Sequence, residues 1–178
     1  MAARPYRATV PTVMRLVPAA VELLDAAVTG DDALARVLGH DVVPGWVTFR
    51  QALQATRDAL ASSPGTPAWG ARFFVSAEPL ELVGWGGFKG PPEDGVVEIG
   101  SEIAEGRRGR GLATAAAGAM VAEAFADEQV IRVIAHTLPE RNASNRVLQK
   151  LGFRHDGQGL DDGELVWRYV LDRPLGPA

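Results

Sequence analysis

Apolar residues recur along this chain with two periods, and the change from one to the other marks its elements. A period near two, rich in β-branched residues, predicts strands over 8–16, 71–76, 80–88, 96–103, 130–137, 153–158 and 164–171. Helical spacing predicts 19–28, with Pro18 in the first turn and Thr29-Gly30 as the stop, then a short helix over 31–38 behind Asp31-Asp32. Trp46, Phe49, Leu53 and Leu60 form a rough stripe on a helix over 46–62, ended by the Pro- and Gly-rich loop 63–67. The alanine-dense run 112–127 predicts a long helix with Met120, Val121, Ala124 and Phe125 available for one face. A last helix over 144–151 closes on Gly152. Gly84-Trp85-Gly86-Gly87 suggests a bulge or bend, 90–95 reads as a turn leading into the next strand, and 158–163 as a loop. The order is that of an α+β (mixed α/β) fold centred on one parallel crossover, from strand 96–103 through helix 112–127 to strand 130–137.

With 178 residues, 47% of them hydrophobic and 22% charged, the chain is expected to form one domain over 1–178 with its core at about 6–171. No repeat, low-complexity tract or run long enough to span a membrane interrupts it, and the first residues lack the apolar stretch of a secretory signal. The absence of cysteine removes disulfides and thiol nucleophiles, which points to the cytoplasm. His40, His136 and His155 lie in different elements without metal-ligand spacing, so no metal is expected. A net charge of −4 argues against nucleic-acid and membrane partners, and any anion site must therefore be built locally.

The densest basic cluster is one turn, Glu105-Gly106-Arg107-Arg108-Gly109-Arg110-Gly111, between strand 96–103 and helix 112–127. A helix start offers unpaired N–H groups and the positive end of the dipole. Glycine lets the backbone approach a ligand closely, and arginine suits phosphate oxygens. These features point to a phosphate ester at the foot of the helix; the alternative is a solvated basic loop. A P-loop fails because no lysine follows, and the dinucleotide fingerprint fails because Thr114 stands where its third glycine would be. A single such turn between strong elements is unlike a disordered RNA-binding repeat.

Arg108-Gly109-Arg110-Gly111-Leu112-Ala113 resembles the acyl-CoA signature R/Q-x-x-G-x-G/A of the GNAT superfamily of N-acetyltransferases. The strand before it carries Val97-Glu98-Ile99-Gly100, and Asn142-Ala143-Ser144-Asn145 through Lys150-Leu151-Gly152-Phe153 is similar to a second family segment. The blocks stand in the family's order, nearest the branch that holds the ribosomal-protein-alanine acetyltransferases. The resemblance implies a mixed, mostly antiparallel sheet of about seven strands, splayed at the cofactor cleft and flanked by helices.

It further implies acetyl-CoA as cosubstrate and a primary amine as acceptor, either a protein N-terminus or a small molecule. Main-chain groups of Ile103 and its neighbours would face the pantetheine arm, and the amides of Arg108, Gly109, Arg110, Gly111, Leu112 and Ala113 the diphosphate, with a hydroxyl contact from Thr114. Asn142 and Asn145 would contact the same arm, although Asn142 equally suits a helix cap. Glu98 occupies the strand position where several family members carry a general base, and Glu102 is the second candidate. Both share a face if the strand is regular but not if it bulges, and an exposed strand residue or ion-pair partner is the other reading of each. The tyrosine that many members use as acid is replaced here by Val147, Leu148, Gln149 and Lys150. Ser144 resembles the serine that is the proposed acid in the ribosomal-protein branch, and equally suits the N-cap of the helix. His136 reads chiefly as a packing or surface residue, with a base on the strand facing the cofactor cleft as its other reading, and Trp46 as a core residue or a wall of the acceptor pocket. The missing tyrosine leaves a non-catalytic acyl-CoA binder as the alternative function. Segment 19–62 and loops 90–95 and 158–163 are expected to shape the acceptor site, and pairing of strand edges into a homodimer is a further expectation.

Overall fold

A computed structural model describes residues 14–62 and 67–174. Its elements are β1 (Met14–Pro18), α1 (Val21–Thr29), α2 (Asp31–Leu38), β2 (Asp41–Val42), α3 (Arg50–Ser62), β3 (Ala71–Ala77), β4 (Leu80–Phe88), β5 (Val96–Ile103), α4 (Leu112–Ala126), β6 (Arg132–Thr137), α5 (Ala143–Lys150), β7 (Arg154–Asp161) and β8 (Glu164–Asp172). The sheet runs β1-β3-β4-β5-β6-β8-β7, with β2 attached to β4. Its pairs are antiparallel except β5–β6 and β2–β4, so the α+β class with a mostly antiparallel sheet holds.

The sheet's two faces follow from alternation. Val97, Ile99 and Ile103 of β5 are buried on one face, and Glu98, Gly100 and Glu102 turn to the other. The first face receives α4, whose Leu112, Ala116, Ala117, Met120, Val121 and Ala124 are buried at helical spacing. Full burial of Met120 and Val121 contributes roughly 1.5–3 kcal/mol each. Trp46 packs on the second face edge-on to Phe73 (5.4 Å) and Trp85 (6.3 Å), and its indole N–H donates to Asp31 at 3.0 Å. Arg50 also donates to Asp31 at 3.0 Å and to the Ala27 carbonyl at 3.0 Å, tying α3 to the ends of α1 and α2.

Several boundaries differ from the sequence reading, each for a physical reason. Residues 8–13 of the first expected strand lie outside the described residues, and the strand runs on to Pro18, which pairs with Arg72. Proline is tolerated there because β1 is an edge strand, so α1 starts at Val21 instead of 19. Helix α3 starts at Arg50 instead of 46, since Trp46 is fully buried in the core and Phe49, 63% exposed, lies outside the helix. Trp46 is therefore not a pocket wall. The expected loop 158–163 is strand as far as Asp161, because Asp162 and Gly163 both hold positive φ (49° and 84°) and close a two-residue hairpin. The bulge suggested by the β4 glycines sits beside them: Phe74 pairs with Gly84 and Val75 with Leu82, leaving Val83 extra.

Candidate active site

The centre of the molecule is a fork. β5 pairs with β6 only through Val96, Val97 and Glu98, opposite Arg132, Val133 and Ile134. Beyond that point β5 stays with β4, from Ile99 opposite Phe88 to Ile103 opposite Gly84. Gly84 and Gly86 permit this, since a Cβ at either would lie about 2 Å from the carbonyl oxygen of Glu102 (2.2 Å) or Gly100 (2.1 Å). The Glu98 carbonyl accepts from Lys89 N–H at 3.0 Å and Ala104 N–H donates to the Val83 carbonyl at 2.8 Å, so even-numbered residues direct their main-chain groups to β4. Alternation then turns those of Ile99, Ser101 and Ile103 into the fork, where β6 has departed. The Ile103 carbonyl accepts from Arg108 Nε at 3.3 Å, which joins the end of the fork to the basic turn.

At that turn Gly109 and Gly111 both hold left-handed φ (76° and 79°), with no atom within 4 Å of where a Cβ would stand. No side chain caps α4, and its first intrahelical bond is Ala115 N–H to the Gly111 carbonyl at 2.9 Å. The amides of Leu112, Ala113 and Thr114 thus face outward with the positive helix end behind them. Arg108 N–H is already committed, to the Glu105 carbonyl at 3.1 Å, so the open amides begin at Gly109. The arrangement is an anion nest of main-chain donors, with the exposed side chains of Arg108 and Arg110 at its rim.

Arg107 belongs to the scaffold instead. Its guanidinium makes a two-pronged bond to Glu81, one prong at 2.8 Å, and the Glu81 side chain is only 9% exposed. That bond holds the Glu81 carboxyl below its ordinary 4.5 against the opposing effect of burial. A carboxyl with a lowered folded value contributes stability at pH above 4.5 and loses it as pH falls through the folded value. Arg107→Met is therefore expected to cost about 2 kcal/mol near neutral pH and to flatten the fall of Tm in acid. Thermal melts of the two proteins from pH 7 to pH 3 check this; parallel curves would contradict it.

The two glutamates of β5 share a face, with no register shift between them, but keep different company. Glu102 accepts from Thr48 N–H at 3.1 and 3.2 Å and from the Trp85 indole, so both its oxygens hold segment 46–48 on the sheet. Glu98 stands at the last paired residue of the fork. His136 Nδ1 lies 3.0 Å from its Oε1, both side chains being 18% exposed. Asn142 and Asn145 form a reciprocal capping box at 2.9 and 3.1 Å, and Asn145 Nδ2 donates to Thr137 at 2.8 Å. Asn142, not Ser144, is the N-cap of α5; Ser144 is exposed in its first turn. Sequence reading gave His136 a minor place and passed over Lys89 and Asp161, which also approach Glu98.

A family model described as an acetyltransferase (GNAT) domain matches residues 14–154. A protein of Bacillus subtilis (strain 168), described as the uncharacterized N-acetyltransferase YjdG, is 32% identical over 143 residues, covering 79% of this chain and 85% of its own. The chain belongs to the GNAT acetyltransferase family.

Solved structures share this GNAT fold. Aminoglycoside acetyltransferase AAC(6')-Ib in complex with coenzyme A is 18% identical, with a TM-score of 0.61 over 90% of this chain and 94% of that one. Ribosomal-protein-S5-alanine acetyltransferase from Vibrio fischeri is 15% identical, with a TM-score of 0.59 over 89% and 91% of the two chains. At these identities the likeness is one of fold. The span matched by the GNAT model contains the fork, the nest, Glu98 and the asparagine box, and stops short of Asp161. Among the described residues, no helix is long and apolar enough to cross a membrane.

Proposed function

We propose that this GNAT protein moves an acetyl group from acetyl-CoA to a primary amine by direct attack in a ternary complex. The observation that carries the reading is the set of open amides from Gly109 to Thr114 at the mouth of the fork. The donors suit a diphosphate, and glycine at 109 and 111 leaves the approach clear. Bound there, acetyl-CoA supplies an activated thioester; the main-chain groups of Ile99, Ser101 and Ile103 hold its pantetheine arm along the fork. Asn142 retains a free amide N–H2 after capping α5 and faces the same task, whereas Asn145 is committed to the box and to Thr137.

Glu98 takes the proton of the attacking amine. The amine nitrogen forms its bond to the acetyl carbon, the carbon–sulfur bond breaks, and the thiolate leaves with a proton from Ser144 or solvent. The His136 ring, 3.0 Å away, fixes the Glu98 carboxylate at the fork. Glu102 acts through position, holding segment 46–48 and with it the packing of Trp46 beneath the acceptor side. The aminoglycoside and ribosomal-protein enzymes that share the fold make small polyamines and protein N-termini the first acceptors to try. Thiol release from acetyl-CoA across a panel of both tests the reading: amine-dependent release supports it, and release no faster than hydrolysis with every amine contradicts it.

A further inference from the structure

Glu98 has a second partner that the mechanism above does not use. Lys89 directly follows β4, and its main-chain bond to the Glu98 carbonyl (3.0 Å) fixes its Cα beside the fork. Its Nζ stands 2.6 Å from Glu98 Oε1 and 2.8 Å from Asp161 Oδ2 at the tip of the β7–β8 hairpin. Glu98, His136 and Asp161 bring one side-chain atom each within 4.8 Å of one another, and the two carboxylates of that group are its acceptors. The Lys89 ammonium bridges those two carboxylates, and its side chain is 49% exposed against 39% for Asp161 and 18% for Glu98. The cation is thus the outer member of the group, on a flexible four-carbon stem, over the more buried carboxylate. Burial works to lower the Lys89 value, but bonds to Asp161 and Glu98 prevail and raise it, so Lys89 stays charged. Two carboxylates against one ammonium leave one negative charge in excess when His136 is neutral.

We propose that the oxygens of Glu98 and Asp161 are the seat of the acceptor's amine, and that the Lys89 ammonium fills this seat until an acceptor displaces it. The inference rests on the reading of Glu98 as base and adds to it how the acceptor is chosen. Exchange of one ammonium for another leaves the charge of the seat unchanged, so no uncompensated carboxylate is exposed at any stage. The seat selects a primary alkylammonium, which offers N–H donors to both carboxylates. A quaternary ammonium brings the charge without the donors, and a neutral amide brings neither. Lys89 is thereby a specificity-determining residue, competing with every acceptor.

The test is titration of wild type, Lys89→Met and Lys89→Arg with n-butylammonium chloride and with tetramethylammonium chloride, with and without saturating coenzyme A. Removal of the internal cation is expected to tighten n-butylammonium binding by about tenfold or more and tetramethylammonium binding by less than about threefold. Lys89→Arg, which refills the seat, is expected to resemble wild type. Unchanged n-butylammonium affinity in Lys89→Met would overturn the proposal, and so would an equal gain for both cations, which would show charge alone at work. Coenzyme A affinity is read in the same samples. Its absence from wild type would strike the acetyltransferase reading, whereas intact coenzyme A binding with an unchanged amine series would strike the seat alone.

Discussion

Gly111→Asp is expected to weaken coenzyme A binding by at least about 100-fold while Tm moves little. The substitution sets a carboxylate among the open amides of Gly109 to Thr114, where the diphosphate would lie, and loss of two charge-assisted bonds at about 1.5 kcal/mol each already reaches that factor. The fold has small reason to object. No atom lies within 4 Å of the new Cβ, so the cost is the left-handed φ of 79°, about 1 kcal/mol for a residue such as Asp. An acidic side chain at the positive end of α4 returns about 0.3–1 kcal/mol of that. Gly111→Ala carries the same backbone cost without the charge and is expected to bind coenzyme A far better than Gly111→Asp. Calorimetry and melts of the three proteins separate the effects; equal affinity for all three would remove the nest from the binding site.

Glu98→Gln is expected to lower kcat by about 10²–10⁴-fold, the usual range for loss of a general base, with coenzyme A affinity unchanged. The side chain keeps its shape, and the amide can still meet His136, but it no longer accepts a proton. The loss should shrink with weakly basic acceptors, since an amine that is already neutral at the working pH needs less help. Steady-state thiol release with amines of graded basicity is the measurement, and a kcat within a fewfold of wild type across the series would exclude Glu98 as base. Glu102→Gln provides the contrast. It weakens the hold on Thr48 and Trp85 and should appear first as lost stability.

The parts of the molecule legible in the sequence are those whose signal is local. Alternation placed β3, β4, β5 and β8 to within a residue or two, because each side chain there is committed to one face of the sheet. The turn before α4 was readable because its chemistry lies in the backbone of consecutive residues, and glycine spacing reports backbone directly. The fork itself is a statement about pairing between β5 and β6, and it entered through the family resemblance, not through periodicity. Legibility failed where contacts join distant residues. Lys89 and Asp161 are 72 positions apart and meet only because two hairpins converge over Glu98, and nothing in either neighbourhood announces the other. Trp46 has helical spacing with Leu53 and Leu60, yet the core claims it, since its ring fills the space between Phe73 and Trp85. The Asp162-Gly163 pair was legible in principle as a tight hairpin turn, and reading 158–163 as a loop cost the true length of β7. Asn142 shows the limit of residue type as evidence, because the asparagine that suits a cofactor contact is the one that caps α5.

The account depends most on the claim that main-chain amides at the start of α4 hold a diphosphate. Calorimetric titration of the wild-type protein with coenzyme A and, separately, with pantetheine tests it most directly, since the two ligands share the arm and differ by the nucleotide and its phosphates. The account predicts saturable binding of coenzyme A, at least about 100-fold tighter than pantetheine. Equal affinity for the two ligands, or no binding of coenzyme A at all, would contradict it.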